Sequence, residues 1–473
     1  MMSKEIRQHL GNIDGEFAAV DLGDKRRNGR LRAVAARIAA TPSESFPKVM
    51  ASIAEREALY RLLNNDGVTW EAILEPHLVA SVERAQRQGV TRVVHDTTDF
   101  VFSGDREGMG TVMQDTKGFF GHFALAVSGG EERIELGVVG LEPYVRRGEK
   151  RTGSLNARKM LARKTPRAQK ESSRWERVAL AANARFTTSD VVHVMDQEAD
   201  DFVLLTELQR ARLRFVIRGS AARRLAPKGD NVQSVLDEEL PVAFRSVPLS
   251  KRSGNRGSKS LRAHPARRER VAQLQLRWAP LEIHRPLHAQ TDVETISLWV
   301  VQVFEPTPPD GEEPISWTLL TSERVDDVEA ATAVVDHYRA RWRIEEYFRS
   351  LKQGCAVQKR QLESYDAMLC ALAIFIPIAW RLLLLRSLGQ AHTTQPAEAV
   401  LDEDELAALR VLIEDKRCYK LPAKPTVRDV MLAIAALGGH IPNNGDPGWI
   451  VLGRGFEDVL KAAIVWRAAR RTM

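Results

Sequence analysis

The chain has 473 residues, 44% apolar and 28% charged, material for two to four domains with real cores; a disulfide-stapled miniature, wholesale disorder and a fibrous repeat are excluded. Lys and Arg number 69 against 62 Asp and Glu, a formal +7, which favours a polyanionic partner but equally suits an ordinary basic enzyme. Three cysteines, Cys355, Cys370 and Cys418, without a CxxC pair or a His spaced for zinc, read as reduced thiols of a cytosolic protein.

The amino terminus is polar and lacks an apolar signal core, so export is not expected. Asp24 is placed to cap a helix over 25–40 whose first turns carry Lys25, Arg26, Arg27, Arg30 and Arg32. Cations there oppose the helix dipole, so an anionic partner explains them better than helix stability does; a solvated basic face is the alternative. A second helical stretch over 51–64 completes a small helical unit. From Thr91 the texture changes to β-branched runs at 91–97, 122–128 and 132–141, an expected antiparallel meander. Residues 146–170 hold ten Lys or Arg with Glu149 as the only acid. A helix over 171–186, a buried strand at 191–196, a helix over 198–210 and a strand at 213–218 follow. Three strands, helix, strand, helix, strand is the order of an RNase H-like domain, an analogy at the level of fold.

Residues 230–320 alternate short strands with turns and include 251–270, where eight Lys or Arg face one acid, Glu269. Such a basic Gly/Ser-rich loop touches phosphate or stays mobile. A turn at 308–314, a strand at 316–322 and helix from about 325 past Lys352 come next. The apolar run 367–385 is broken by Pro377 and Arg381 and reads as a buried core helix, with no membrane crossing expected. The tail from Arg386 is helical and ends in a stripe of Phe456, Val459, Leu460, Ala463 and Ile464. No solenoid repeat and no glycine-rich phosphate loop is present.

Asp96 ends the first strand and Asp196 the fourth, and in an RNase H-like order those strands lie side by side. In the helix around 336–354, an advance of about 100° per residue puts Tyr338, Arg341, Glu345 and Lys352 within about 60° of one another, with Glu346 off that stripe. An inward Arg, Glu and Lys are costly to bury unless paired or functional, a salt-bridged surface being the alternative. Three carboxylates, Asp96, Asp196 and Glu345, suit two Mg²⁺ ions about 3.5–4 Å apart, with Mn²⁺ as a substitute. Arg341 and Lys352 are then placed to clamp flanking phosphates.

The spacing of Tyr338, Arg341, Glu345 and Lys352, with DTT at 96–98, DQEAD at 196–200 and WRIEE at 342–346, resembles the YREK signature of the insertion-sequence-four family of bacterial DDE cut-and-paste transposases. LGDKRRNGRL near the start, FVIR ending at Arg218, WTLLTSE from Trp317 and LGGHIP near 437 are also similar, so the likeness spans essentially the whole chain. It implies an α/β fold: an RNase H-like mixed-sheet catalytic core (76–385) with a β-rich insertion at about 230–320, for which 345 − 196 = 149 residues leave room. Helical domains flank it, an N-terminal transposon-end-binding one (1–75) and a C-terminal dimerisation one (386–473). The resemblance implies strand nicking, hairpin formation and resolution, and strand transfer, performed by a homodimer on the double-stranded DNA of transposon ends and target. The site would be in the bacterial cytoplasm at the nucleoid.

By the same resemblance, Asp96, Asp196 and Glu345 would be the metal-binding catalytic triad. Trp317, 21 residues before Tyr338, would stack on a flipped base, Arg218 would lie near the site, and Tyr338, Arg341 and Lys352 would contact DNA, with Arg26, Arg27 and Arg30 at the end-binding helix. Phe348 and Gln197 depart from the family, Phe348 standing where its best-known member has a polar residue that approaches DNA. Two other readings remain: an inactive or domesticated relative that binds DNA without cutting it, and a basic structural or RNA-binding protein whose acids form surface pairs.

Overall fold

The computed structural model describes residues 13–113, 116–146, 154, 160, 164–187, 190–226, 229–249, 268–391, 394–441 and 445–472. The chain divides into two compact units, one of Met1–Thr152, Ala181–Asp190 and Trp342–Met473, the other of Gly153–Leu180 and Val191–Arg341. Most of the basic stretches 146–170 and 251–270 lies outside the described residues.

In the first unit, the Asp24 carboxylate accepts the Arg26 N–H at 2.6 Å and starts the helix Lys25–Ala40, which buries Leu31, Val34, Ala35 and Ile38. Ser52 caps the next long helix, Ile53–Leu63. A third, Trp70–Gln86, was not expected because Pro76 interrupts its pattern; packing against the last strand of the unit and against the long core helix outweighs the backbone bond that Pro76 cannot make. Four strands follow, β1 (Val90–Phe102), β2 (Gly110–Met113), β3 (Thr116–Ser128) and β4 (Glu135–Tyr144). β3 pairs antiparallel with β1, β2 and β4, which gives the expected meander with the short β2 added.

The core of this unit is the helix Tyr365–Gln390, buried from Ala367 through Leu385. It is long and apolar enough to cross a membrane, yet its most apolar window is wholly buried inside the fold. Arg381 within it is buried but bonded to Glu405 at 2.7 Å, the pairing a charge needs in such a place. Helices Glu403–Lys416, Val427–Leu437 and Trp449–Thr472 complete the unit. In the last, Phe456, Val459, Leu460 and Ala463 are buried as the stripe predicts, whereas Ile464 is 41% exposed. The boundaries expected at 75/76 and 385/386 both fall inside continuous helices, Trp70–Gln86 and Tyr365–Gln390. A break there would split a turn of backbone hydrogen bonds, so neither position is a linker.

The second unit holds β5 (Asp190–Met195), β6 (Arg214–Gly219), β7 (Ala243–Leu249), β8 (Arg270–His284), β9 (Thr295–Phe304) and β10 (Ser316–Thr321). β5 and β6 are parallel, joined by the helix Phe202–Arg210, and β6, β10, β9, β8 and β7 then run antiparallel in that spatial order. The sheet is mixed, and its antiparallel part is the β-rich insertion. The helix Val328–Arg339 packs on β6, β9 and β10. The strands and the helix Phe202–Arg210 share a core that includes Trp175, Phe202, Phe215 and Leu320. This α/β architecture, with helices at both ends of the chain, is the expected fold class.

Candidate active site

Asp196 follows β5 directly, and its carboxylate caps the turn Gln197–Ala199 by accepting the Glu198 N–H at 2.9 Å. The loop is held from its far end by Asp200, half-buried, which accepts the Ser220 N–H and the Arg223 Nε, both at 3.0 Å. Burial pushes the Asp200 carboxyl up, with Arg223 opposing. Asp200 thereby ties the loop after β5 to the loop after β6, whose penultimate residue is Arg218. The Arg218 and Arg341 guanidinium groups and the Asp196 carboxylate lie close enough to the Tyr338 phenol to bias it. Burial raises the Tyr338 pKa above its ordinary 10 and the two arginines only partly offset it, so the phenol keeps its proton. Trp317, half-buried on β10, meets Tyr338 edge-on with ring centroids 5.4 Å apart. Five residues singled out in the sequence, Asp196, Arg218, Trp317, Tyr338 and Arg341, thus converge from β5, β6, β10 and the end of one helix.

The first unit carries the rest. Asp96 is half-buried and accepts the Thr97 N–H at 2.7 Å. It lies within β1 and not at its end, because pairing with β3 continues to Phe102 opposite Lys117. Glu345 is half-buried in the first turn of the helix Trp342–Arg349, which packs against β1. Its neighbour Glu346 is buried and bonded to Arg349 and Arg386, both at 2.6 Å, a structural role that separates the two acids. Lys352 Nζ donates to Asp99 at 2.8 Å and sits 5.7 Å from the centre of the Phe100 ring. Burial alone would raise the Asp99 carboxyl; Lys352 outweighs that and lowers it. Asp99 was not anticipated, although DTTDF already places a second acid three residues beyond Asp96. Phe348 packs edge-on against Phe123 in the core, which accounts for an apolar residue at that position.

The single helical face expected for Tyr338, Arg341, Glu345 and Lys352 needs correction. The helix ends at Arg339, Ala340 and Arg341 bond back only three residues, and a second helix begins at Trp342 before loosening into a π-turn over Ser350–Gly354. A constant 100° step does not apply across such a path.

Among the described residues no three His, Cys, Asp or Glu side chains stand together as a ready metal cluster. The donors singled out are carboxylates only, the set that a hard divalent cation takes.

A model of the transposase DNA-binding family matches residues 12–68, and a model of the transposase DDE domain matches residues 161–376. By its domain content the chain is a DDE transposase. Among solved structures it is similar to piggyBac transposase in a cryo-EM synaptic complex with hairpin DNA, at 11% identity over 84% of this chain and 76% of that one, with a TM-score of 0.37. As a DDE transposase it is an enzyme of DNA strand cleavage and transfer that works with divalent metal ions. The DDE match of this transposase includes Asp196, Arg218, Trp317, Tyr338, Arg341, Glu345 and Lys352, while Asp96 lies before its first residue.

The DNA-binding match covers the capped helix Lys25–Ala40. There the transposase exposes Arg26 and Arg30. Arg27 is half-buried, its Nη1 3.4 Å from the Leu22 carbonyl, so it also braces the loop that enters the helix.

Proposed function

We propose that this transposase performs cut-and-paste transposition as a member of the insertion-sequence-four family, with Asp96, Asp196 and Glu345 as the catalytic triad. The observation that carries the reading is the gathering of Asp196, Arg218, Tyr338 and Trp317 from four separated segments. A hydrophobic core does not call for that group of side chains, and phosphodiester chemistry does.

The three carboxylates would hold two Mg²⁺ ions, or Mn²⁺ in their place. Bound there, the cations would supply charge neutralisation at the phosphodiester and activation of the attacking oxygen. The protein's own groups supply the rest. Tyr338, kept protonated, donates a hydrogen bond to a phosphate oxygen; Arg218, Arg341 and Lys352 clamp neighbouring phosphates; the indole of Trp317 receives a base extruded as the hairpin forms. Asp99 holds the Lys352 ammonium until DNA replaces it.

Nicking, hairpin formation, hairpin resolution and strand transfer are successive phosphoryl transfers at this set of residues. Arg26, Arg27 and Arg30 of the helix Lys25–Ala40 engage the transposon end, and the C-terminal helices join two copies on paired ends. The compartment is the bacterial cytoplasm, at the nucleoid.

The test is cleavage of a duplex carrying the sequence that flanks the gene, with Mg²⁺ or with EDTA, by wild type and Glu345→Ala. Metal-dependent nicks and hairpins that vanish in the variant are expected. Binding without cleavage by the wild type would instead identify an inactive or domesticated relative.

A further inference from the structure

Glu345 is carried by a helix of only eight residues, Trp342–Arg349, entered by a turn that bonds back three residues and left through the π-turn Ser350–Gly354. A helix that short has no fixed direction of its own, so what aims its carboxylate must come from its surroundings. With Arg343 as zero, Glu346 falls at about −60° and Tyr347 at about +40°, whereas Glu345 falls at about 200°, on the opposite side. The side turned away from Glu345 is tied to the helix Tyr365–Gln390. The Tyr347 hydroxyl donates to the Ile376 carbonyl at 3.3 Å, Glu346 accepts from Arg386 at 2.6 Å, and Arg343 Nη1 donates to the Ser387 hydroxyl at 3.3 Å.

Arg343 also reaches past that helix. Its Nη2 donates to the Glu132 carbonyl at 3.1 Å, and its Nη1 lies 3.4 Å from Oε1 of Glu135, the first residue of β4. Ser387 closes the group by donating to the same Oε1 at 2.9 Å. The Glu135 side chain is wholly buried, and its Oε2 has no hydrogen-bond partner. Burial pushes that carboxyl up and Arg343 opposes the push. A buried acid satisfied on one oxygen only is a costly way to join two elements, and an apolar pair would join them at a smaller cost in free energy. What the group adds is geometry: an arginine fork with acceptors on β4, on the turn before it and on the long helix cannot rotate without breaking one of them. We infer that Glu135, together with Ser387, is a positioning residue for Glu345: through Arg343 it fixes the rotation of the short helix and so the place of the Glu345 carboxylate. The inference rests on the role proposed above for Glu345 as a metal-binding acid.

The experiment uses the full chain bound to a duplex carrying the gene's flanking sequence. It measures Mn²⁺ affinity by electron paramagnetic resonance, with the duplex alone subtracted, beside the Mg²⁺ dependence of cleavage. Glu135→Gln keeps the shape and removes the charge. Mn²⁺ affinity should weaken about ten-fold, and the Mg²⁺ concentration for half-maximal cleavage should rise by a similar factor, with the Kd for DNA unchanged. A merely structural role gives a different result, a smaller folded fraction whose metal affinity equals that of wild type. Ser387→Ala removes one hydroxyl and threatens the fold less, and it should shift both readings the same way by about three-fold.

Wild-type Mn²⁺ affinity in folded Glu135→Gln, or in Ser387→Ala where Glu135→Gln does not fold, would overturn the assignment. Glu345→Ala separates this inference from the reading beneath it. If Glu345→Ala binds Mn²⁺ as wild type does, the role of Glu345 itself falls; if it loses Mn²⁺ while Glu135→Gln keeps it, only the positioning role falls.

Discussion

Glu16 is almost wholly buried, yet it stays ionised. Burial by itself would raise its carboxyl, but Arg84, which reaches it at 2.7 Å, and His77 at 2.5 Å outweigh that and bring it from 4.5 to about 2. His77 Nε2 accepts the Val138 N–H at 3.2 Å, so the imidazole is neutral and gives its Nδ1 proton to Glu16. A carboxyl lowered by folding stabilises the native state above its unfolded pKa, and that contribution is lost as pH falls from about 4.5 towards about 2. The loss over that window is on the order of 3 kcal/mol. Arg84→Met leaves a buried charge uncompensated and should cost about 3–5 kcal/mol at neutral pH; urea unfolding across the window should also show a weaker acid dependence than wild type. A variant as stable as wild type would show that the Arg84 pair contributes nothing. At the proposed active site, Tyr338→Phe keeps the ring against Trp317 and removes only the hydroxyl beside Arg218 that would bond the phosphate. One charge-assisted hydrogen bond is worth about 1.5–3 kcal/mol. Single-turnover cleavage should therefore slow roughly 10- to 100-fold with end affinity little changed, and an unaltered rate would remove Tyr338 from the mechanism.

Among the secondary-structure elements, the crossing of Val427–Leu437 with Trp449–Thr472 depends on two glycines. A Cβ on Gly455 would lie 1.7 Å from the Ile434 carbonyl oxygen, and one on Gly438 would lie 1.9 Å from that of Val451. The helices pass backbone to backbone, so Gly455→Ala should cost about 1–3 kcal/mol or more in thermal unfolding. Gly29→Ala, on an open helix surface with nothing within 4 Å, should be neutral or stabilising by up to about 1 kcal/mol; equal effects would mean the crossing is not close-packed. Neither glycine was singled out in the sequence, because close approach depends on the partner helix. Elements written in short-range pattern were legible: the Asp24 cap, the β-branched runs of β1 and β3, the run after Ala367. The helix Trp70–Gln86 was hidden by Pro76. The break after Arg339 was hidden too, since Ala340 and Arg341 are good helix formers and no local residue marks it. Asp196, Arg218, Trp317 and Tyr338 were legible as a group only through their spacing, and the ties of Asp200 to Arg223 and of Asp99 to Lys352 only through the fold.

For the molecule as a whole, the proposed pairing of two copies has a specific surface to use. The helix Trp449–Thr472 buries Phe456, Val459, Leu460 and Ala463 against its own unit, and the turn beyond them exposes Ile464 at 41%, Val465 at 69% and Trp466 at 40%. Arg467 bonds Asp402 and meets Asp404 at 3.3 Å, which fixes the exposed turn to the helix Glu403–Lys416. Adjacent exposed aliphatic and indole groups on an anchored helix form the kind of patch that monomers seldom leave uncovered. Val465→Glu with Trp466→Glu puts two like charges on each side of a symmetric contact while leaving the buried stripe intact, so the fold should survive and association should not. Sedimentation with end DNA should show one copy per end for the variant and paired ends for wild type. Nicking at a single end should persist in the variant, while hairpin formation that needs both ends together should fall. A variant that still pairs ends would move the dimer contact to another face of the protein.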